Sequence, residues 1–185
     1  MERIEFMSAW LTFLPNGFGN FYPNLAELEI RDTPLRGLQR RNFDGMKKLF
    51  LLSIENTKIS SIPDDVFNDL PNLQELTTRK SRLTSLSPKL FHPLKNLRTF
   101  DGKFNKISQL QSELFSKNTK LESINLSGNL LREIYINFTS FEKLSEVYLF
   151  KCGCVDVYFL KSNFIFTLYD FQKLIDKRCK EIKFD

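Results

Sequence analysis

Every 24 residues this sequence returns to the same arrangement of apolar side chains, and no other feature limits its fold as much. The clearest copy runs from Leu49 to Asn72, LFLLSIENTKISSIPDDVFNDLPN. Its apolar positions Leu49, Leu52, Ile54, Ile59, Ile62, Phe67 and Leu70 fit neither a helical period nor strand alternation throughout; they fit a bent unit. Leu52, Ser53 and Ile54 alternate as a short strand, Thr57 and Ile59 turn a corner, and Ile62, Phe67 and Leu70 point inward from a looser return path. Leu25, Leu28, Ile30, Leu35, Leu38 and Phe43 fall on the same grid, as do Leu73, Leu76, Leu83, Leu86 and Phe91. So do Leu97, Phe100, Ile107, Leu110 and Phe115, and then Leu121, Ile124, Leu126, Leu131, Ile134 and Phe138 in a copy one residue short. Met1, Ile4, Phe6, Ala9, Leu11 and Leu14 extend the grid to the first residue, and Leu144, Val147 and Leu149 begin a seventh strand. The apolar groups of one unit do not offset the entropy of ordering its backbone, so each unit requires neighbours.

The shared pattern, LxxLxLxxNxLxxIxxxxFxxL, resembles the leucine-rich repeat family, and in particular its typical extracellular subtype. The resemblance implies an α/β solenoid: a horseshoe with a concave parallel β-sheet, an irregular convex side and a C-terminal helical cap. Repeats are expected over residues 1–151 and the cap over 152–185, with a helix near 167–179. Glu2 and Glu5 do not suit a signal peptide, so the start reads as another repeat. The expectation is a fragment that opens mid-solenoid without an N-terminal cap.

Two columns of the grid admit different readings. Phe43, Phe67, Phe91, Phe115 and Phe138 could line an aromatic ligand groove, but their strict period favours a stacked spine in the core. Column six holds Phe6, Ile30, Ile54, Thr78, Gly102, Leu126 and Leu149, so two successive coils lose bulk. A weak boundary is expected near residues 97–105. Position nine, asparagine in the family, holds Ala9, Thr33, Thr57, Ser81, Asn105, Asn129 and Cys152. In the family this side chain bonds the turn backbone of adjacent coils, which a hydroxyl does in part and Ala9 does not.

After Leu149 the pattern breaks. Leu168, Phe171, Leu174, Ile175 and Cys179 share one helical face, and Thr167 with Asp170 resembles a capping box. The three cysteines, Cys152, Cys154 and Cys179, all lie in this region. Together they resemble the C-terminal flanking cap of extracellular leucine-rich repeat proteins, and Cys154, Val155, Asp156 and Phe159 the short Cys-Ile/Val-Asp cap of secreted insect members. The resemblance implies a Cys154–Cys179 disulfide, with Cys152 in the place of the usual asparagine. A four-cysteine cap would pair Cys152 as well, but its fourth member is missing, which leaves an odd thiol, free or linked to another chain.

The net charge of +5 is spread along the chain and not clustered with stacking aromatics, so a nucleic-acid binder is not indicated. No stretch is long and apolar enough to span a bilayer. Zinc would need His92, which falls coils away from the cysteines, and a Cys-His nucleophilic pair fails on the same distance. No constellation for catalysis and no cofactor motif appears. Two glycosylation sequons are present, at Asn125 on a strand and at Asn137 on the return path.

The reading is a non-catalytic recognition module, extracellular as a secreted protein or ectodomain, that binds a protein or glycoconjugate ligand or co-receptor on its concave face. The alternative is an intracellular scaffold with reduced cysteines. Strand alternation places the candidate contact residues at Glu29, Arg31, Ser53, Glu55, Thr77, Arg79, Asp101, Lys103, Tyr148 and Phe150, with Arg79 central and the two aromatics as a second anchor.

Overall fold

A computed structural model of the chain describes residues 2–163 and 165–180. Met1 of the apolar grid and residues 181–185 of the expected cap lie outside them. The strands, in chain order, are β1 (Glu2–Met7), β2 (Leu25–Arg31), β3 (Leu51–Glu55), β4 (Glu75–Thr77), β5 (Thr99–Asp101), β6 (Gln109–Leu110), β7 (Ser123–Asn125), β8 (Glu133–Ile134), β9 (Glu146–Leu149) and β10 (Val157–Leu160). The helices are the single turn α1 (Phe18–Phe21) and the C-terminal α2 (Leu168–Cys179). One eight-stranded sheet runs β1-β2-β3-β4-β5-β7-β9-β10, parallel up to β9, and β6 pairs with β8 on the return path. The result is a parallel-strand solenoid that ends in a helix.

The register follows from the repeat. Leu28 stands beside Leu52, Leu52 beside Leu76, Leu76 beside Phe100, Phe100 beside Ile124, and Ile124 beside Val147. All are buried, and a slip of one residue would turn every one of them to solvent. After each strand the chain turns through one left-handed residue at position eight: Ser8, Asp32, Asn56, Lys80, Phe104, Gly128 and Lys151 all have positive φ. Position nine then ties coils together. Asn105 Nδ2 donates to the carbonyls of Thr78 (2.6 Å) and Gly102 (3.0 Å), while its Oδ1 accepts from the Leu83 amide at 3.1 Å. Asn129 repeats the arrangement on Gly102, Leu126 and Ile107, and Thr57 and Ser81 share a hydroxyl hydrogen bond of 2.8 Å.

The phenylalanine column is a core spine, with ring centroids 6.3 Å apart for Phe43–Phe67, 6.5 Å for Phe67–Phe91 and 5.1 Å for Phe91–Phe115. Its last ring, Phe138, meets Phe171 of α2 edge-on at 5.4 Å, so the helix supplies the next ring. The expected loss of bulk at Gly102 is corrected by Phe100. A Cβ on Gly102 would lie 2.8 Å from the Phe100 ring, which already occupies that volume. Thr78 is buried too, and its hydroxyl has no hydrogen-bond partner among the described residues.

The far end of the core is closed by β10, α2 and a Cys154–Cys179 disulfide with Cα atoms 5.3 Å apart. Gln172 of α2 accepts from the Phe138 amide at 2.7 Å and donates to the Ile136 carbonyl at 3.3 Å, satisfying backbone that a further coil would otherwise bond. Helix α2 starts at a capping box in which Thr167 Oγ1 accepts from the Asp170 amide and Asp170 accepts from the Thr167 amide and hydroxyl. The Thr167 hydroxyl and then its amide hold the Asp170 carboxyl below its ordinary pKa. A depressed folded-state pKa means the cap's contribution is full above the unfolded carboxylate value and is lost as pH falls through the folded one. We expect the Asp170 carboxyl resonance to titrate below that of a solvated aspartate, and Asp170→Asn to remove that part of the acid sensitivity of α2 seen by circular dichroism.

Candidate functional site

Alternation along the strands gives the sheet one face toward the core and one row per odd position on the other face. The registers join Glu5, Glu29, Ser53, Thr77, Asp101, Asn125 and Tyr148 into a continuous row at position five. Strand β10 adds Tyr158, directly opposite Tyr148. Arg31 and Glu55 stand side by side at position seven, a column that continues through Arg79, Lys103, Ser127 and Phe150.

This face divides into two chemically different parts. Toward the N-terminus it is an ion network. Arg3 contacts Glu29 at 2.6 Å and also Glu5 and Glu27, and Arg31 bonds Glu29 from the other side. Arg79 bridges Asp101 at 2.8 Å and Glu55 at 3.5 Å, Ser53 Oγ donates to Glu55, and Lys103 lies 3.9 Å from Asp101. Glu29, Ser53 and Asp101 are buried although they point outward: Arg3 and Arg31 lie against Glu29, Arg79 lies against Asp101, and Ser53 bonds Glu55. Arg79, the central candidate contact, has its guanidinium on two carboxylates, those of Asp101 and Glu55.

Beyond Lys103 the ion pairs give way to polar and aromatic side chains, with Glu146 accepting from the Ser123 hydroxyl at 3.1 Å. Asn125 Oδ1 accepts from the Ser127 amide at 3.1 Å, and Ser127 Oγ accepts from the Phe150 amide at 3.1 Å. There follows an aromatic cluster: Tyr148 and Tyr158 stack at 6.4 Å, and Phe150 lies 5.2 Å from Tyr158. Phe150 and Tyr158 remain 40% and 42% exposed, so the cap covers them only in part. Phe104 continues the apolar surface along the rim, its ring over Gly128, where a Cβ would come within 2.5 Å of it. Burial, then Glu146 and Tyr158, push the Tyr148 phenol above its ordinary pKa. Tyr148 therefore stays neutral across the physiological range and presents an apolar ring with a polar tip.

Tyr158 and Phe104 are the members that the sequence reading left out. The alternation of exposed Tyr158 with buried Phe159 was the available signal for β10, but an isolated run of four residues after a broken repeat carries no partner information. Phe104 occupies the left-handed corner, where the repeat pattern says nothing about ring direction.

The remaining candidates lie apart from this face. Cys152 is buried, its thiol donates to the Leu126 carbonyl at 3.3 Å, and burial raises its pKa to about 11. It takes the place of the position-nine asparagine, and of the two expectations, free or linked to another chain, its burial favours the free thiol. Asn137 is exposed and accepts from the Thr139 amide and hydroxyl, whereas Asn125 is half-buried on the sheet face. His92 sits on the return path with Ser116 and the Glu113 carbonyl, and among the described residues no cluster with metal-ligand composition occurs. No described helix is long and apolar enough to cross a membrane.

Comparison with known proteins agrees with this geometry. The family model described as leucine rich repeat matches residues 23–77, 51–101 and 71–131. Among curated proteins none matches the chain. Among solved structures, a leucine-rich repeat protein of Leptospira interrogans superposes with a TM-score of 0.68 at 24% identity, over 77% of this chain and 35% of that one. The TLR13–ssRNA13 complex gives 0.62 at 22%, over 81% and 25%, and the Toll–Spätzle complex of Drosophila 0.55 at 20%, over 82% and 27%. The chain thus spans about a quarter to a third of the length of these structures, and at such identities the likeness is one of fold. With the family model matched over more than half of its residues and the solenoid in view, this chain belongs to the leucine-rich repeat family.

Proposed function

We propose that the chain is a non-catalytic recognition module that binds a protein partner, or the protein part of a glycoconjugate, on its concave sheet, with the aromatic end as the principal anchor. The observation that carries this reading is the half-exposed cluster of Tyr148, Phe150 and Tyr158 at the end of a sheet face on which Glu29, Glu55, Arg79 and Asp101 are already engaged in ion pairs. Aromatic rings that lose water on binding contribute more than ions that must give up existing partners. A preformed sheet also costs little ordering entropy when a partner docks. An extracellular location is part of the proposal, supported by the disulfide and the cap to which it belongs. A glycan at Asn137 would leave the concave face open, whereas one at Asn125 would stand beside the aromatic cluster.

The test is a photo-crosslinking side chain placed singly at Thr77, Tyr148 or Lys89 and exposed to an extracellular protein mixture. Adducts are expected from Thr77 and Tyr148 and not from Lys89 on the convex side. For the partner so identified, Tyr148→Ala and Tyr158→Ala should each weaken binding by at least about 1 kcal/mol, roughly fivefold. Arg79→Ala should also weaken it, through the loosened Glu55 and Asp101. Adducts from Lys89 alone would refute the concave assignment.

A further inference from the structure

Positive charge that is spread along the sequence gathers in space on one rim of the solenoid, at the corner that follows each strand. There Lys58, Arg82 and Lys106 donate their backbone amides to the carbonyls of Leu35, Ile59 and Leu83 in the preceding coil, each at 2.8 Å. The three residues therefore form one column on successive coils, spaced by about 4.8 Å. Beyond the buried Leu35, Ile59, Leu83 and Ile107 runs a second exposed column, Arg36, Ser60, Thr84 and Ser108. Lys58, Lys80 and Arg82 line a single open depression of about 350 Å³, together with Asp32, Asn56 and Ser81.

These cations have no carboxylate to hold. Among the described residues none of Arg36, Lys58, Lys80, Arg82 and Lys106 forms an ion pair, and all of them are exposed. The neighbouring acids are engaged elsewhere: Glu55 and Asp101 on Arg79, while Asp32 accepts from Asn56 Nδ2 at 2.6 Å. Position eight is also a left-handed corner, where Asp32, Asn56 and Gly128 are the easy occupants; Lys80 adopts a φ of 49° there and adds a charge instead. Like charges in register on adjacent coils repel, and nothing in the described chain offsets that cost. A rim of one sign without internal partners is suited to a polyanion.

We propose that this rim binds a sulfated polysaccharide, its sulfates along the column of Lys58, Arg82 and Lys106 and its hydroxyls toward Ser60, Thr84 and Ser108. Single-stranded nucleic acid is the less suitable polyanion. Grooves for it join cations to aromatic rings on which bases stack, and no aromatic side chain lines this depression. The Phe104 ring, on the same rim, lies over Gly128 in the following coil. Compact ammonium charges flanked by hydroxyls meet the needs of a sulfated sugar without stacking. The rim is a different surface from the aromatic end of the sheet, so this inference and the protein contact proposed above can fail separately.

Calorimetric titration of the purified chain with a heparin hexasaccharide at physiological ionic strength tests the proposal. Binding is expected with the sulfated hexasaccharide and not with the same hexasaccharide after complete desulfation. Lys58→Glu with Arg82→Glu should weaken binding at least about tenfold, because two column charges are reversed. Lys89→Glu with Lys117→Glu removes the same charge from exposed positions on the return path and should weaken it less than about threefold. A single-stranded RNA of matching charge should bind at least about tenfold more weakly than the hexasaccharide. Circular dichroism melts establish that each variant is folded. If the rim glutamates prevent folding, Lys58→Ala with Arg82→Ala should still weaken binding at least about fivefold. Equal losses in the rim and return-path variants would mean that net charge alone binds heparin and would overturn the proposal. So would indifference to sulfation, or RNA binding as tight as that of the hexasaccharide.

Discussion

Replacing Cys154 and Cys179 together by alanine is expected to lower the unfolding free energy by about 3 kcal/mol, within the range of about 2–4 kcal/mol seen for loops of this length. The bridge joins residues 25 apart in sequence and fastens the last coil to α2. That helix places Phe171 against Phe138 and Gln172 on the Phe138 amide, so a loosened α2 exposes the end of the spine and leaves buried backbone without partners. Coils of a solenoid are coupled to their neighbours, so the loss should be graded along the axis. Hydrogen exchange should accelerate first in β9, β10 and the turn at Phe138–Ser140, and least in β2 and β3. Urea unfolding with and without reductant measures the same quantity in the wild-type chain. Identical midpoints in the two conditions would show that packing alone holds the cap. Cys152→Ser offers the contrast, because that thiol bridges nothing and its small donor role to Leu126 passes to a hydroxyl.

How far the sequence reached can be judged residue by residue. The parallel strands were legible because each strand core repeats at the same interval as the return path, and that period alone sets which residues become neighbours. Asn105 and Asn129 were legible because a buried turn needs a side chain with both a donor and an acceptor, and only asparagine supplies both at that reach. Thr167 and Asp170 were legible because capping is local. What did not show were contacts made across the repeat. Strand β10 exists through pairing with β9, a tertiary event that four residues do not announce. Gln172 gave no sign of its role, since a single amide on an amphipathic helix reads as a surface residue until Phe138 lies beneath it. On the sheet face, alternation separates outward from inward residues but not exposed from buried ones. Glu29 and Asp101 point outward and are covered all the same, because Arg3 and Arg79 of neighbouring coils fold over them. Strand period carries no information about that, whereas opposite charges at neighbouring outward columns of successive coils do, as Arg3 with Glu29 and Arg79 with Asp101. The proposed contact therefore rests more on Tyr148, Phe150 and Tyr158 than on Arg79, which would have to leave its carboxylates.

The largest single-residue effect is expected at Phe91. Phe91→Ala should cost about 3–5 kcal/mol, the range for buried phenylalanine truncations. Five phenylalanines share its column and nothing in the period ranks them, but the packing does. Phe91 lies between Phe67 and Phe115, and it also meets Phe100 at 4.7 Å, so three rings lose contact when it is removed. Among the described residues Phe43 has only Phe67 as a ring neighbour. Phe100 is not free to move into the gap, because it already fills the volume over Gly102, and withdrawing it would open a second void between β5 and β7. The Phe91 carbonyl, bonded by Asn118 Nδ2 at 2.9 Å, holds the backbone in place, which limits collapse further. A site that relaxes little keeps most of its cavity, and the cost grows with the residual cavity. Phe104→Ala is the control: its ring is half exposed and sits on a left-handed corner, so its loss should change stability by no more than about 0.5 kcal/mol. Urea unfolding of both variants against wild type gives the comparison. A Phe91→Ala penalty no larger than that of Phe104→Ala would mean that the spine is not what couples the central coils. If the penalty is as expected, exchange in β4 and β5 should rise more than in β2.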